Sequence, residues 1–367
     1  MKIFSLEKLN TGRQIEFDLA KAICIFFMVY AHIVDVWFSH TWGDMIYCKV
    51  TTASTIFGIF NCMVIFAFTF MFAMGACVCY SRHQSPHDLA LRGWKLIAIW
   101  FLVHLAHSYC MALLYAAEEG MSFAWYMCTY VIMSDILFFA GLFLIYLALL
   151  KKANFTTLGI VLCSCLVFCL GHFVSYDGDN YLLNLILGNF LISKITFMPF
   201  LNWIIIPTLG YCFGKLLLHC QNKNRLYGSI GLFCTLACIT LWRFVSTNTL
   251  IEHIRFEEIT SGAFFHRVNI VSICVSVIVF GVFLSLCYFI MKTIKWSPFR
   301  TVVSYLADKL NKIYIVHWII IPFVAILMQR PPKPATPLKI TFLSAIVLAA
   351  SCACVAIYEK LLAKHKA

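Results

Sequence analysis

Long apolar runs alternate with short polar segments along most of the chain. Ten of these runs come close to the length of about 20 apolar residues that a helix needs to cross a hydrocarbon core. We therefore predict an all-α fold, a polytopic integral membrane protein with about ten transmembrane helices. The predicted helices occupy 19–38, 55–79, 93–116, 134–150, 155–174, 196–218, 226–246, 268–292, 312–329 and 340–359.

The predicted organisation is one transmembrane domain, residues 19–359, between a short N-terminal tail, residues 1–18, and a short C-terminal tail, residues 360–367. The first tail is polar and lacks the apolar centre and small-residue cleavage site of a signal peptide, so we expect the first helix to direct insertion. Two weaker segments are expected not to cross. Residues 123–133 are predicted to be re-entrant or interfacial, and residues 180–194 to fold back or lie on the surface.

The distribution of Lys and Arg predicts the orientation. With the N-terminus in the cytoplasm, inside segments carry eighteen of these residues and outside segments carry seven. An excess of positive charge on the cytoplasmic side is the rule for membrane proteins. Both termini are therefore predicted to be cytoplasmic.

Composition supports the membrane class and limits the ligands. The chain is 62% hydrophobic and 12% charged, with a mean hydropathy of +0.88, whereas soluble domains carry about 25% charged residues. The net charge of +12 is explained by basic loops beside anionic headgroups of the lipid bilayer, so no nucleic-acid partner is expected. Most of the eighteen cysteines lie in apolar runs, where they behave as small hydrophobes. Neither a metal nor a permanently bound cofactor is expected.

The first predicted helix carries a line of ionisable side chains. Lys21 and His32 are eleven residues apart, which places them on one helix face and separates them by about 16 Å. Ionisable groups inside a membrane helix usually face protein or water and mark a functional site. The line, which we call the α1 stripe, comprises Asp18, Lys21, Ile25, Met28, His32 and Asp35.

The His-Asp pair at the outer end of the α1 stripe suggests acid–base chemistry. A carboxylate three residues after a His, as Asp35 is after His32, can fix the tautomer of the imidazole and stabilise its protonated form. A structural alternative is that His32 makes a polar contact between helices and that Lys21 extends its ammonium group to the headgroups.

Several motifs carry a resemblance to known membrane acyltransferases. The stretch from Arg13 to His32 resembles the opening signature of the acyltransferase-three family, which O-acetylates bacterial surface polysaccharides, although the position of Lys21 is usually Arg in that family. The segment 72–75, followed by Arg82 and Arg92, resembles the second-helix signature of that family and of its relative heparan-alpha-glucosaminide N-acetyltransferase. Segments 134–141, 198–203 and 311–318 resemble later motifs of the family in the same order.

The resemblance implies an acyltransferase. Such an enzyme takes an acyl group, usually acetyl, from cytoplasmic acetyl-CoA and transfers it to a hydroxyl or amine of a sugar or glycan on the other side, with a His as general base or acyl carrier. Arg13, Arg82 and Arg92 would bind the phosphates of the donor, although the orientation rule alone explains any single one of these cations. Asp18, Lys21 and His317 would support the acyl pathway. The implied location is a bacterial cytoplasmic membrane.

The two branches of the resemblance point to different histidines. The polysaccharide branch points to His32, and the heparan-type branch points to His40, in a segment that resembles the catalytic outer loop of that relative. We favour His32 because it completes the α1 stripe, and His40 would then orient the acceptor. His104 and His107, three residues apart on the third helix, are interpreted as packed or lining residues.

Two other classes of function remain open from the sequence. In a secondary transporter or flippase, Lys21, His32, Asp35 and His317 would form a proton relay. Transporters often contain two related halves, and no such duplication is detectable in this chain. A membrane scaffold is the third possibility, but it gives no reason for so many ionisable groups inside the helices.

Overall fold

The computed structural model describes residues 2–37, 63–116, 120–194, 198–247, 270–327 and 337–366, and these residues are mostly helical. Fourteen helices and two short strands are found in this part of the chain. They are α1 (Ile15–Trp37), α2 (Met63–Val78), α3 (Pro86–Tyr115), α4 (Phe123–Ile132), α5 (Ile136–Lys152), α6 (Thr157–Phe173), β1 (Ser175–Tyr176), α7 (Tyr181–Leu187), β2 (Ile192–Ser193), α8 (Phe200–Trp203), α9 (Ile205–Leu218), α10 (Lys223–Thr247), α11 (Ile270–Thr293), α12 (Ser297–Asp308), α13 (Leu310–Leu327) and α14 (Pro337–Lys366).

Each of the ten apolar runs contains helix where the structure describes it. Within the described residues, five helical segments are long and apolar enough to cross a membrane, and α4 with α5 makes a sixth if the two form one broken span. The protein is therefore a multi-pass membrane protein, while ten spans and cytoplasmic termini stay predictions. The five segments are Pro86–Tyr115, Phe200–Leu218, Ile270–Thr293, Leu310–Leu327 and Leu338–Lys364.

The all-α prediction needs one small correction between α6 and α8. Residues 175–176 and 192–193 form a parallel pair of two-residue strands, in which Ser175 pairs with Ile192 and Tyr176 with Ser193. The short helix α7 lies between the two strands. Residues 180–194 were expected to fold back or lie on the surface, and the seven-residue helix α7 is too short to span a bilayer.

The chain divides into two compact units, each built from three separate stretches. The first unit contains Met1–Phe17, Ala67–Phe101 and Ile132–Ile294, and the second contains Asp18–Phe66, Leu102–Val131 and Lys295–Ala367. Each unit is described by itself below.

Close packing of α2 against α9 organises the first unit. A Cβ atom at Gly210 would overlap the carbonyl oxygen of Phe72, and one at Gly75 would overlap the carbonyl oxygen of Pro207. Small residues let membrane helices approach until their backbones touch, which strengthens van der Waals packing where lipid supplies no hydrophobic driving force. The glycines therefore set the distance between these two helices.

The N-terminal segment, which belongs to the first unit, is hydrogen-bonded to the end of α9. The Ser5 amide donates to the His219 carbonyl oxygen at 2.9 Å, and the Asn10 amide donates to that of Leu218 at 3.0 Å. The Asn10 side chain also donates to the carbonyl oxygen of Leu217 at 2.9 Å. These bonds satisfy carbonyl groups that the C-terminal end of α9 leaves open, so the segment caps that helix.

The second unit has an apolar core around the C-terminal half of α1. This core contains Val29, Ile33 and Val36 of α1 together with residues of α3, α4, α13 and α14. The Tyr115 hydroxyl of α3 donates to the carbonyl oxygen of Val36. Packing on several helices holds this part of α1 in place, and with it the imidazole of His32.

Candidate active site

The α1 stripe is enclosed by protein where its side chains are described. Asp18 is 6% exposed, Ile25 is fully buried and Met28 is 7% exposed, and His32 is partly exposed. The expectation that these groups face protein or water holds for these residues. The side chain of Asp35 lies outside the described part of the structure, as does His40, so their contribution stays a prediction.

Lys21 is paired with a carboxylate at the N-terminal end of the stripe. Its Nζ lies 3.9 Å from Oδ1 of Asp18, and the two side chains are 17% and 8% exposed. A Lys that only extended its ammonium group into the headgroup layer would be more exposed than this. Lys21 therefore lies within the protein, about 16 Å along the helix from His32.

His32 meets two side chains of α13 in the second unit. The ring centroid of His32 lies 5.4 Å from that of His317 and 4.6 Å from that of Trp318. His317 is fully buried. The structure thus brings together two of the histidines that the sequence singled out, although they are almost 300 positions apart in the chain.

Two further histidines, which were predicted to be packed or lining residues, join this group through Trp318. The Trp318 ring centroid lies 5.5 Å from that of His104 and 4.2 Å from that of His107, and both histidines are buried. Their spacing of three residues on α3 was the available signal, because it placed both on one face. We call the group formed by His32, His104, His107, His317 and Trp318 the histidine cluster.

Backbone carbonyl groups fix the tautomers of three histidines in the cluster. Nδ1 of His104 lies 3.1 Å from the carbonyl oxygen of Tyr130, Nδ1 of His107 lies 2.9 Å from that of Trp318, and Nδ1 of His317 lies 3.1 Å from that of Ile313. A carbonyl oxygen only accepts, so each Nδ1 carries the hydrogen. In the neutral form, each Nε2 then presents a lone pair.

The cluster is not arranged as a metal site. Within the described residues, no three His, Cys, Asp or Glu side chains are placed to hold a metal ion. The described cysteines are all free thiols and form no disulfide with one another. The chemistry that this arrangement offers is proton transfer by imidazole in a largely enclosed site.

The three arginines proposed to bind the donor lie in the first unit and are exposed. Arg13 precedes α1, Arg82 lies between α2 and α3, and Arg92 lies on the first turns of α3. Nη1 of Arg92 donates to Oγ of Ser81 at 3.1 Å. Their exposure leaves the guanidinium groups accessible to an anionic ligand.

A buried acidic group in the first unit was not anticipated from the sequence. Glu16 is fully buried, and its Oε1 accepts from Nζ of Lys223 at 2.7 Å and from the Tyr227 hydroxyl at 2.8 Å. The Lys223 ammonium also lies over the rings of Tyr227 and Tyr288, at 5.9 and 5.6 Å from their centroids. This ion pair fixes the start of α1 to the start of α10.

Two buried polar residues of the segments that resemble later family motifs, Asp135 and Asn202, bond to backbone groups. The Asp135 carboxylate accepts from the backbone amides of Leu137 and Phe138, and so caps α5. The Asn202 side chain donates to the carbonyl oxygen of Gly171 at 3.0 Å. Asp135 therefore stabilises the start of its own helix, and Asn202 links α8 to α6, which accounts for their burial.

Comparison with known proteins assigns the family. The family model of the heparan-alpha-glucosaminide N-acetyltransferase catalytic domain matches residues 13–251. Neither the search of curated proteins nor the search of solved structures returned a match. The matched range includes the α1 stripe, Arg82, Arg92 and three of the five members of the histidine cluster, whereas His317 and Trp318 lie beyond it. The match covers well over half of the chain, which therefore belongs to the heparan-alpha-glucosaminide N-acetyltransferase family of membrane acetyltransferases.

Proposed function

We propose that this protein transfers an acetyl group from cytoplasmic acetyl-CoA to an amine or hydroxyl of a sugar on the opposite side of the membrane. The observation that carries the proposal is the contact of His32 with His317 and Trp318 inside the histidine cluster. The imidazole of His32 is partly exposed, and His32 lies on the largely buried helix α1, within the range that the family model matches. Family membership favours this function over the transporter, which no described contact supports specifically.

In the proposed reaction, His32 acts as the general base. It removes the proton from the sugar nitrogen or oxygen as that atom forms a bond to the thioester carbonyl carbon. The carbonyl electrons move to oxygen, and they return when the C–S bond breaks. The CoA thiolate leaves and takes the proton from His32, so the enzyme returns to its starting state. General base catalysis by His contributes about a hundredfold to ten-thousandfold.

A second route uses the imidazole as the acyl carrier. His32 or His40 would attack the thioester carbonyl carbon, release CoA and then pass the acetyl group to the sugar. His40 belongs to the segment that resembles the catalytic outer loop of the heparan-type relative. The two routes differ in kinetics, because an acetyl-enzyme intermediate gives ping-pong behaviour.

The donor-binding role falls to the exposed arginines of the first unit. Arg13, Arg82 and Arg92 are accessible, and guanidinium groups bind phosphate through paired, charge-assisted hydrogen bonds. With the predicted orientation these side chains face the cytoplasm, where acetyl-CoA is available. Asp18 and Lys21, on α1, would support the acyl pathway. We propose a bacterial cytoplasmic membrane as the location.

The acceptor to test first is an amino sugar, because the name of the matched family specifies a glucosaminide. Purified protein in detergent is given acetyl-CoA labelled in the acetyl group and a glycan that ends in glucosamine. We expect free CoA thiol and labelled glycan to appear in equal amounts. Hydroxyl-only glycans, tested in parallel, distinguish N- from O-acetylation. Lack of both CoA release and label transfer with every acceptor would contradict the proposal.

A further inference from the structure

Trp318 occupies the centre of the histidine cluster in the second unit. Its indole ring contacts His32, His104 and His107, with ring centroids between 4.2 and 5.5 Å away. The plane of the indole is inclined by 52° to the imidazole of His32.

The indole nitrogen of Trp318 is a buried donor without a hydrogen-bond partner among the described residues. Buried polar groups in proteins are nearly always hydrogen-bonded, so an exception requires an explanation. In this fold Trp100 illustrates the usual arrangement, since its Nε1 donates to the carbonyl oxygen of Met133 at 3.3 Å. An indole N–H is a donor only, and the group that would satisfy Trp318 must therefore be an acceptor.

The neighbouring residue presents the complementary group. Nδ1 of His317 is bonded to the carbonyl oxygen of Ile313, so Nε2 is an acceptor in the neutral ring. This Nε2 is also buried and has no partner in the described part of the chain. An orphan donor and an orphan acceptor on consecutive residues suit a ligand that offers one acceptor and one donor. A thioester carbonyl and the N–H or O–H of a sugar are such a combination.

We infer that the Trp318 N–H donates a hydrogen bond to the carbonyl oxygen of the acyl group and stabilises the oxyanion of the tetrahedral intermediate. This inference rests on the proposed function. As the sugar nitrogen or oxygen bonds to the carbonyl carbon and loses its proton to His32, one carbonyl electron pair moves to oxygen, where Trp318 binds it. The pair returns when the C–S bond breaks. A fixed donor aimed at developing charge is worth most in an enclosed site.

The inference concerns this chain in particular. Trp318 lies beyond residues 13–251, so the family match assigns it no role. Its contact with His32 is what links it to the proposed chemistry.

Replacing Trp318 by 3-benzothienylalanine tests the role of the N–H directly, because sulfur replaces the ring nitrogen while shape and aromaticity are kept. We expect kcat for acetyl transfer to fall about a hundredfold, the usual effect of losing one oxyanion donor. The KM for acetyl-CoA should stay within about twofold, since the bond strengthens only in the transition state. Trp318→Phe, which also removes the N–H, should lower kcat at least as much.

The same replacement at Trp296, which is 68% exposed, controls for incorporation of the analogue and should leave kcat unchanged. A kcat equal to that of the natural protein in the Trp318 analogue would overturn the oxyanion role and leave the proposed function standing. A lower thermal midpoint with unchanged kcat and KM would assign Trp318 to packing and also overturn it. Absence of acetyl transfer in the natural protein would instead refute the proposed function, and the inference with it.

Discussion

His32 is the residue on which the proposed chemistry depends most. We expect His32→Ala to lower kcat for acetyl transfer about a hundredfold to ten-thousandfold, because the variant lacks the general base. The thermal midpoint should change little, since the side chain is partly exposed. Steady-state rates of CoA release measure the effect.

His172→Ala is the matched control, because His172 is exposed on α6 and outside the histidine cluster. It should transfer acetyl at the rate of the natural protein. Near-normal turnover of His32→Ala, combined with loss of turnover in His40→Ala, would assign the catalytic role to His40.

Substitution of Lys21 tests whether the N-terminal end of the α1 stripe needs a cation for activity. Its Nζ lies 3.9 Å from the carboxylate of Asp18, and both side chains are largely buried. We expect Lys21→Arg to retain more activity than Lys21→Met, because only Arg keeps the positive charge. Initial rates at saturating acetyl-CoA decide the comparison. Equal activity of all three proteins would show that the charge has no role in catalysis.

The buried ion pair between Glu16 and Lys223 should matter for stability. In Lys223→Met the carboxylate of Glu16 stays buried without its cation, which typically costs about 3–5 kcal/mol. We therefore expect a clearly lower thermal midpoint in detergent, and partial recovery in the double variant Glu16→Gln/Lys223→Met. The exposed pair of Lys194 with Asp179 provides the control, and Lys194→Met should melt like the natural protein. An unchanged midpoint in Lys223→Met would contradict this account.

Individual residues also show how much of the candidate site could be predicted from the sequence. His32 stood out because an imidazole in a membrane helix needs a reason, and His317 because its motif resembled a family motif. Trp318 belongs to the same motif but was given no role, since an aromatic residue in an apolar helix is ordinary. Only the folded chain shows that His104, His107 and Trp318 lie together. Glu16 was missed because its partner Lys223 is far away in sequence.

At the scale of elements, the contact of α2 with α9 depends on glycine. A Cβ at Gly210 would overlap the Phe72 carbonyl oxygen, and overpacking of this kind typically costs about 1–3 kcal/mol. We expect Gly210→Ala to lower the thermal midpoint of the purified protein. Gly228→Ala is the control, because an added Cβ there meets no atom within 4 Å; in a helix it should be neutral or slightly stabilising. Equal midpoints for the two variants would show that α2 and α9 adjust freely.

The helices themselves were largely predictable, because membrane helices need long apolar runs and the chain shows them plainly. The ends of the helices were less predictable. Helix α3 begins at Pro86, seven residues before the predicted start, since a polar first turn leaves no trace in hydropathy. The hydrogen bonds of Ser5 and Asn10 to the end of α9 were not predictable either, because they pair backbone groups over 200 residues apart.

At the scale of the whole molecule, the family assignment indicates the reaction, and the predicted orientation indicates on which side of the membrane each substrate binds. The family defines an acetyltransferase, and the excess of Lys and Arg in alternate segments predicts which ends of the helices face the cytoplasm. If both are right, α1 carries Asp18 and Lys21 near the donor side and His32 nearer the acceptor side. The α1 stripe would then mark the direction of acyl transfer.

The most direct measurement uses sealed vesicles with uniformly oriented protein. Acetyl-CoA labelled in the acetyl group is supplied on one side only, and the glucosamine-ended glycan on the other. We expect label to reach the glycan across the membrane, and only when acetyl-CoA is on the side of Arg82 and Arg92. Transfer that requires donor and acceptor on the same side would contradict a transmembrane route along α1, and passage of a proton or solute without consumption of acetyl-CoA would favour a transporter.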